Sequence, residues 1–249
     1  MQHAIDSANS ATAYSIGVKT GVSMLGVDLY EQPVRNILEE AMACGKAGGV
    51  VTSVQLLDAT PGAFLTHSLN RKNKHHLQDG FMRTQPSWAM GICDDKLQPS
   101  EEMKASMVNG SLSSSWTFLH QDENVLAEDF YNDIQDKNPD NGDHVLACFG
   151  GEYTTGISGS GEKKGNMPFR GLDSSYSNRW CSAGIVDADD NDIPTDITPN
   201  STICDHWPQD SLKNVPHMQE NVKEALNFLG KDKDGFFMLY EQGDIDWAA

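Results

Sequence analysis

The sequence predicts an α/β fold in which a central, mostly parallel β-sheet is flanked by helices on both faces. Short apolar runs of strand length alternate with segments of helical periodicity, which is the order typical of such folds. The runs lack polar alternation, as strands buried in parallel sheets do. The 249 residues suffice for one large domain. We expect one domain over residues 1–249.

The first part of the chain predicts two helices and a strand. The first helix begins near Ser7, within a run of small residues. The second has apolar residues at helical spacing over 34–41, and Pro33 can begin it while Gly45 can end it. Residues 49–54 form a short run rich in β-branched residues and predict a buried strand.

The rest of the chain predicts further helices and strands, some from clear patterns and others from weak ones. Thr60 followed by Pro61 predicts the N-cap and first residue of a third helix. The other predicted elements are strands at 144–149 and 235–240, a helix at 218–229, weaker helices at 101–108 and 125–135, and a connector at 113–116.

Composition and charge restrict the function. The chain has 36 acidic and 18 basic residues, a formal net charge of −18. Such a charge argues against a nucleic-acid partner, because nucleic-acid binders need a basic face to displace counterions. No apolar run approaches the roughly 20 residues that span a bilayer, so no transmembrane segment is expected. The opening residues do not form a signal peptide, but the charge suits a secreted protein, and we expect an extracellular, periplasmic or cell-surface location.

Five cysteines occur without a C-x-x-C pair, so a structural zinc site is not expected. Cys44 and Cys148 lie in apolar patterns and are predicted to be buried thiols. Cys181 and Cys204 flank an acidic segment and are candidates for a disulfide.

That acidic segment, residues 187–192, alternates carboxylates as the start of a calcium loop does. The glycine expected at the sixth position is missing, and Thr198 takes the place of the closing glutamate. An ordinary acidic loop is therefore favoured, and structural calcium is the alternative. Glycosylation sequons at Asn109 and Asn200 favour a secretory origin.

Two places suggest binding chemistry. At the start of a helix, Ser7 would face free N–H groups and the positive end of the helix dipole, which favour an anion such as phosphate. The alternative is a simple cap on a surface helix. Glu241 and Asp246 follow the strand at 235–240, where ligands bind in open α/β sheets. They are candidate ligands for a hard cation or zinc, and ordinary surface acids are the alternative.

Three blocks of the sequence resemble the alkaline phosphatases and occur in that family's order. A fourth stretch, residues 165–170, also looks similar to the family. The three blocks are 6–13 with 17–20, similar to the nucleophile motif; Asp58-Ala59-Thr60-Pro61 with Arg71, similar to the magnesium and phosphate-clamp segment; and 235–237 with Glu241 and Asp246, similar to the second metal segment.

The resemblance implies a phosphomonoesterase with two zinc ions and one magnesium ion. Ser7 would be a zinc ligand and the nucleophile that becomes a phosphoserine. Arg71 would hold two oxygens of the substrate phosphate in its planar fork. The family is commonly dimeric, so a homodimer is compatible with the resemblance.

The resemblance also implies roles for residues in the two metal segments. Thr60 and Glu241 would be magnesium ligands, and Asp246 a zinc ligand. Asp58 would order a magnesium-bound water and steady Arg71.

Departures from the family pattern predict an internal fragment of a longer enzyme, inactive alone. The resemblance therefore implies one partial domain over residues 1–249, with the sheet incomplete at both ends and a divergent, insertion-like region at 77–142. The strand that precedes Ser7 in the family is absent, and a histidine expected four residues after Asp246 would be residue 250. Each zinc site keeps one protein ligand, whereas tetrahedral zinc needs about three or four. Trp247 stands where many bacterial members have lysine or histidine, which suggests a tryptophan subtype.

Two other functions stay open. One is a non-catalytic, acidic, secreted protein with a metal-binding or structural role. The other is a related hydrolase of sulfate esters or phosphodiesters, although the absence of a C-x-P-x-R signature counts against sulfate esters.

Overall fold

The computed structural model describes residues 5–93, 97, 115–120, 129–149 and 218–243. The strands are β1 (Ala47–Gln55), β2 (Trp88–Ile92), β3 (Ser115–His120), β4 (Asp143–Phe149) and β5 (Phe236–Glu241). The helices are α1 (Ser7–Ile16), α2 (Ile37–Ala43), α3 (Ala59–Leu65), α4 (Lys74–Thr84) and α5 (Met218–Leu229), with short 3₁₀ turns at Asn132–Ile134 and Pro139–Asn141. The strands form one sheet in the order β3-β4-β2-β1-β5, and every pairing between them is parallel. The predicted α/β class is confirmed.

Hydrophobic residues cover both faces of the sheet. On one face, Val50 packs in a cluster with residues of α1 to α4, including Leu38 and Phe64. Its neighbour Val51 points the other way and packs in a second cluster with Phe228 of α5. Because β1 is buried on both sides, its sequence does not alternate between apolar and polar residues.

Strands β1, β4 and β5 and helix α5 lie where the sequence predicts them. The predicted start of the second helix is wrong, because Asn36 and Glu39 form a reciprocal capping box and α2 begins at Ile37. Pro33 instead pairs with Val27 in an isolated bridge.

The predicted cap of the third helix is also wrong. Helix α3 begins at Ala59 with Asp58 as its N-cap, so Thr60 is the second helical residue. The side chain of Asp58 makes no capping hydrogen bond, and its carboxylate is used elsewhere.

The predicted connector at 113–116 is wrong where the structure describes it, because Ser115 and Trp116 begin β3. Trp116 is buried and packs against Phe81 and His144. Tertiary burial of this ring therefore outweighs the turn signal of the preceding serines.

Other sequence predictions in this part of the chain have mixed outcomes. In the predicted helix at 125–135, the described part forms turns and a 3₁₀ segment, while the predicted helix at 101–108 lies outside the described residues. The region 77–142 contains most of α4 together with β2 and β3, and its separate status stays a prediction.

The cysteines differ from both thiol predictions. Cys148 is buried, but it forms a disulfide with Cys93 that joins the carboxyl ends of β2 and β4. Cys44 is a free thiol, but it is exposed beyond α2 because the helix ends there. The candidate pair Cys181–Cys204 lies outside the described residues, as do the two sequons and the acidic segment.

Within the described ranges, no helix has both the length and the apolar character needed to cross a membrane.

Candidate active site

Ser7 is the first residue of α1, and its side chain is exposed. Asp6 caps the helix: its carboxylate accepts the backbone N–H of Asn9 at 3.0 Å, and the Asn9 side chain accepts the backbone N–H of Asp6 at 3.1 Å. The hydroxyl of Ser7 is therefore not needed for capping and stands at the positive end of the helix dipole. The helix start predicted near Ser7 is confirmed.

Arg71 connects Ser7 to a second helix. Its Nη1 donates to the Ser7 Oγ at 2.7 Å, and its Nη2 donates to Asp58 Oδ1 at 2.8 Å. Asp6 adds a second carboxylate, with its Oδ2 3.8 Å from Nη1. The backbone N–H of Arg71 donates to the Ser23 carbonyl at 2.8 Å. The guanidinium is thus fixed in orientation next to an exposed hydroxyl.

Close packing of α1 against α3 brings these groups together. Ala8 and Ala11 of α1 lie in the same buried cluster as Ala59 and Ala63 of α3. Small side chains allow the two helices to approach closely, so the N-terminus of α1 and the N-cap of α3 lie on the same side of the molecule.

Glu241 ends β5 beside β1, in register with Thr52. The Thr52 hydroxyl donates to Glu241 Oε2 at 2.6 Å, and Thr60 also forms a hydrogen bond with this carboxylate. Burial raises the pKa of Glu241 above its usual value, although the bonds to Thr52 and Thr60 act in the opposite direction. Asp58 raises the pKa of Glu241 further and Arg71 lowers it, so these three charged groups share one electrostatic environment.

The donor set around Glu241 suits magnesium. A carboxylate and the Thr60 hydroxyl are in contact, and hard oxygen ligands of this kind are the ones Mg²⁺ prefers. No cluster of three or more histidine, cysteine, aspartate or glutamate side chains occurs in the described part of the chain. Asp246 and Trp247 lie outside it. Their roles, and the zinc sites, stay predictions.

Sequence reasoning missed two contributors to the site, and the signal for one of them was visible. Thr52 and its neighbour Ser53 are buried polar residues in a mostly apolar strand, which is unusual enough to suggest a partner, and it is the Thr52 hydroxyl that has one. Ser23 carried no such signal, because its backbone rather than its side chain holds Arg71.

Comparisons with known proteins find alkaline phosphatases. A family model described as alkaline phosphatase matches residues 2–106. The whole chain is 24% identical to alkaline phosphatase 3 of Bacillus subtilis and spans 41% of that protein. A stretch of 67 residues, 27% of this chain, is 54% identical to alkaline phosphatase H of Pseudomonas aeruginosa and covers 14% of it.

Solved structures show the same fold. The cold-active alkaline phosphatase of a psychrophilic Shewanella matches this chain with a TM-score of 0.62 and 21% identity. The match covers 99% of this chain and 44% of the Shewanella chain. A variant of the TAB5 alkaline phosphatase with Mg bound in its M3 site matches 97% of this chain over 51% of its own, with a TM-score of 0.55 and 19% identity. The chain is thus similar to alkaline phosphatases in part of its sequence and in its fold.

Proposed function

We propose that the protein containing this chain hydrolyses phosphate monoesters to an alcohol and inorganic phosphate, with Ser7 as the phosphoryl acceptor. The observation that carries the proposal is the hydrogen bond of 2.7 Å between Arg71 and the Ser7 Oγ. It places a fixed cation with a planar fork of donors directly beside an exposed hydroxyl at a helix N-terminus.

In the first step, the Ser7 oxygen forms a bond to phosphorus while the bond from phosphorus to the ester oxygen breaks. Ser7 loses its proton, and the departing alcohol gains one. Arg71 holds non-bridging oxygens of the phosphoryl group, whose negative charge the guanidinium and the start of α1 stabilise. Asp58 and Asp6 keep the guanidinium in place during this transfer.

In the second step, a water oxygen forms a bond to phosphorus and the bond to the Ser7 oxygen breaks. Ser7 regains a proton, and inorganic phosphate leaves. Two displacements at the same atom explain why the acceptor must be accessible from outside, as the exposed Ser7 side chain is.

We assign Thr60 and Glu241 to a magnesium ion, and Ser7 and Asp246 to two zinc ions. When bound, these cations would supply positive charge for the attacking and departing oxygens. The magnesium assignment is supported by the oxygen donors in contact at Glu241 and by the magnesium-containing TAB5 neighbour.

An extracellular or periplasmic location is part of the proposal. The disulfide between Cys93 and Cys148 supports it, because disulfides form and persist in oxidising compartments and are rare in the cytosol.

The test compares Ser7→Ala with Ser10→Ala in the full-length protein. Ser10 lies in the same helix, but its hydroxyl donates to the backbone carbonyl of Asp6. We expect Ser7→Ala to lower kcat for an aryl phosphate by about 10³-fold or more and to abolish the acid-stable phosphoenzyme. Ser10→Ala should change kcat by less than about 3-fold.

Wild-type turnover in Ser7→Ala would show that the nucleophile assignment is wrong. Parallel assays with an aryl phosphodiester and an aryl sulfate separate the substrate classes. Faster wild-type turnover of either substrate than of the monoester would contradict the proposed reaction.

A further inference from the structure

Thr52 is a fully buried polar residue in an interior strand of the sheet. It lies in β1 between β2 and β5, and its side chain is 0% exposed. Hydroxyl groups are costly to bury without partners, so such a residue needs hydrogen bonds to both its oxygen and its proton. The structure supplies both.

The two hydrogen bonds fix the direction of the hydroxyl proton. The backbone N–H of Val54 donates to the Thr52 Oγ1 at 3.2 Å, so that oxygen acts as an acceptor there. The hydroxyl proton is then directed to Glu241 Oε2, 2.6 Å away. An ionised carboxylate can only accept, so the bond has one direction. The backbone of β1 thereby orients a carboxylate on the neighbouring strand.

We propose that Thr52 is a positioning residue for Glu241, fixing the rotation of its carboxylate so that a divalent cation is bound by an already ordered ligand. This inference rests on the proposed function, since Glu241 is the proposed magnesium ligand. Outer hydrogen bonds of this kind typically change metal affinity by about 10- to 100-fold when they are removed.

The methyl group of Thr52 has a separate role, in packing. It lies over Gly91 of β2, where an added Cβ would come within 2.7 Å of Thr52 Cγ2. Thr52→Val keeps this shape and removes the hydroxyl, whereas Thr52→Ser keeps the hydroxyl and removes the methyl. The two variants separate hydrogen bonding from packing.

Thr66→Val is the matched control. Thr66 is also 0% exposed, and its hydroxyl donates to the Gly62 carbonyl at 3.0 Å, away from Glu241. The same chemical change there should affect folding without affecting the metal ligand. Glu241→Gln is the reference for loss of the site.

The experiment measures Mg²⁺ binding to the full-length protein by isothermal titration calorimetry, with Tm recorded for each variant. We expect Thr52→Val to weaken Mg²⁺ binding by about 10-fold or more, while Thr52→Ser and Thr66→Val stay within about 3-fold of wild type. We also expect excess Mg²⁺ to restore kcat in Thr52→Val. A loss of affinity in Thr52→Ser equal to that in Thr52→Val would overturn the inference, because packing alone would then explain it.

Different results would show whether the Thr52 inference or the proposed magnesium assignment is wrong. If Glu241→Gln abolishes Mg²⁺ binding but Thr52→Val binds as wild type does, Thr52 does not position the ligand and the magnesium site stands. If Glu241→Gln binds Mg²⁺ as wild type does, the magnesium assignment itself is wrong, and the inference falls with it.

Discussion

Helix α3 has an ion pair at each end, and the two pairs look alike. At its start, Asp58 pairs with Arg71 at 2.8 Å, and the side chains are 22% and 22% exposed. Just beyond its end, His67 pairs with Glu39 at 2.9 Å, and the side chains are 23% and 19% exposed. Distance and burial do not distinguish them. The identity of the cation does.

The cations differ in how they respond to pH. Arginine stays charged throughout the range in which proteins are folded, whereas histidine loses its charge near neutrality. His67 Nδ1 lies 2.6 Å from the Gly26 carbonyl and Nε2 lies 2.9 Å from Glu39, and both partners accept hydrogen bonds. Only the imidazolium can donate to both at once. The pair at the candidate active site therefore persists at alkaline pH, while the pair at the other end does not.

The strongest test of this contrast is Arg71→Lys, which keeps the charge and removes the fork. A lysine ammonium cannot hold Ser7 and Asp58 in two directions as the guanidinium does. We expect kcat/KM for an aryl phosphate to fall by about 10²-fold. Arg83→Lys, at the exposed end of α4, is the control and should leave kcat/KM unchanged. Equal kcat/KM in Arg71→Lys and wild type would show that charge alone is needed.

Gly26→Ala should disturb the ion pair between His67 and Glu39, just beyond the end of α3. Gly26 has φ +62°, and an added Cβ would lie 2.5 Å from the Thr66 carbonyl oxygen and 2.6 Å from His67 Nδ1. We expect a loss of about 2 kcal/mol in the free energy of unfolding, measured by urea denaturation. Gly17→Ala has a similar φ of +73° but open space around the Cβ, so it should cost about 1 kcal/mol. Equal losses would mean that the close contacts of the added Cβ with Thr66 and His67 are unimportant.

The smallest effect is expected for His67→Gln, and it should depend on pH. Burial lowers the pKa of His67, but its bonds to Glu39 and Gly26 outweigh burial and raise the pKa above the usual 6.5. Its contribution is therefore fully present below pH 6.5 and is lost as pH rises through the raised pKa. For Glu39, burial raises the pKa, but bonds with His67 and the Asn36 backbone outweigh this and lower it from 4.5. Its contribution is present above pH 4.5 and is lost on acidification through the lowered pKa.

The pair should thus stabilise the fold most between about pH 4.5 and 6.5. Urea denaturation at pH 6 should show His67→Gln to be less stable than wild type by about 1 kcal/mol, and the difference should shrink at pH 9. His75→Gln, at an exposed histidine, should show no such difference. A deficit in His67→Gln that grows with pH would contradict the assigned charge state.

The sequence predicts most of the fold where hydrophobic pattern alone decides it. Continuous apolar runs at β1 and β4 and helical spacing in α5 are such cases. It fails where a tertiary contact overrides a local signal. Trp116 begins a strand because its ring is buried, and Pro33 does not begin a helix because Asn36 caps α2 more completely.

The candidate active site likewise contains some residues that the sequence predicts and others that it does not. Ser7 could be placed at a helix start from its neighbours, because capping is local. The residue types at Asp58 and Arg71 pointed to a phosphate clamp only through family resemblance. The bond from Thr52 to Glu241 could not be predicted, because it depends on the register between β1 and β5.

That register has a consequence for the order in which the site is assembled. Arg71 is 13 residues from Asp58 and 64 from Ser7, whereas Thr52 and Glu241 are 189 residues apart. Closing a longer loop costs more chain entropy, and non-local strand pairing is slow. We therefore expect the bonds of Arg71 to Asp58 and Ser7 to form before β5 pairs with β1. The candidate nucleophile and its arginine would then be in place before Glu241 reaches Thr52.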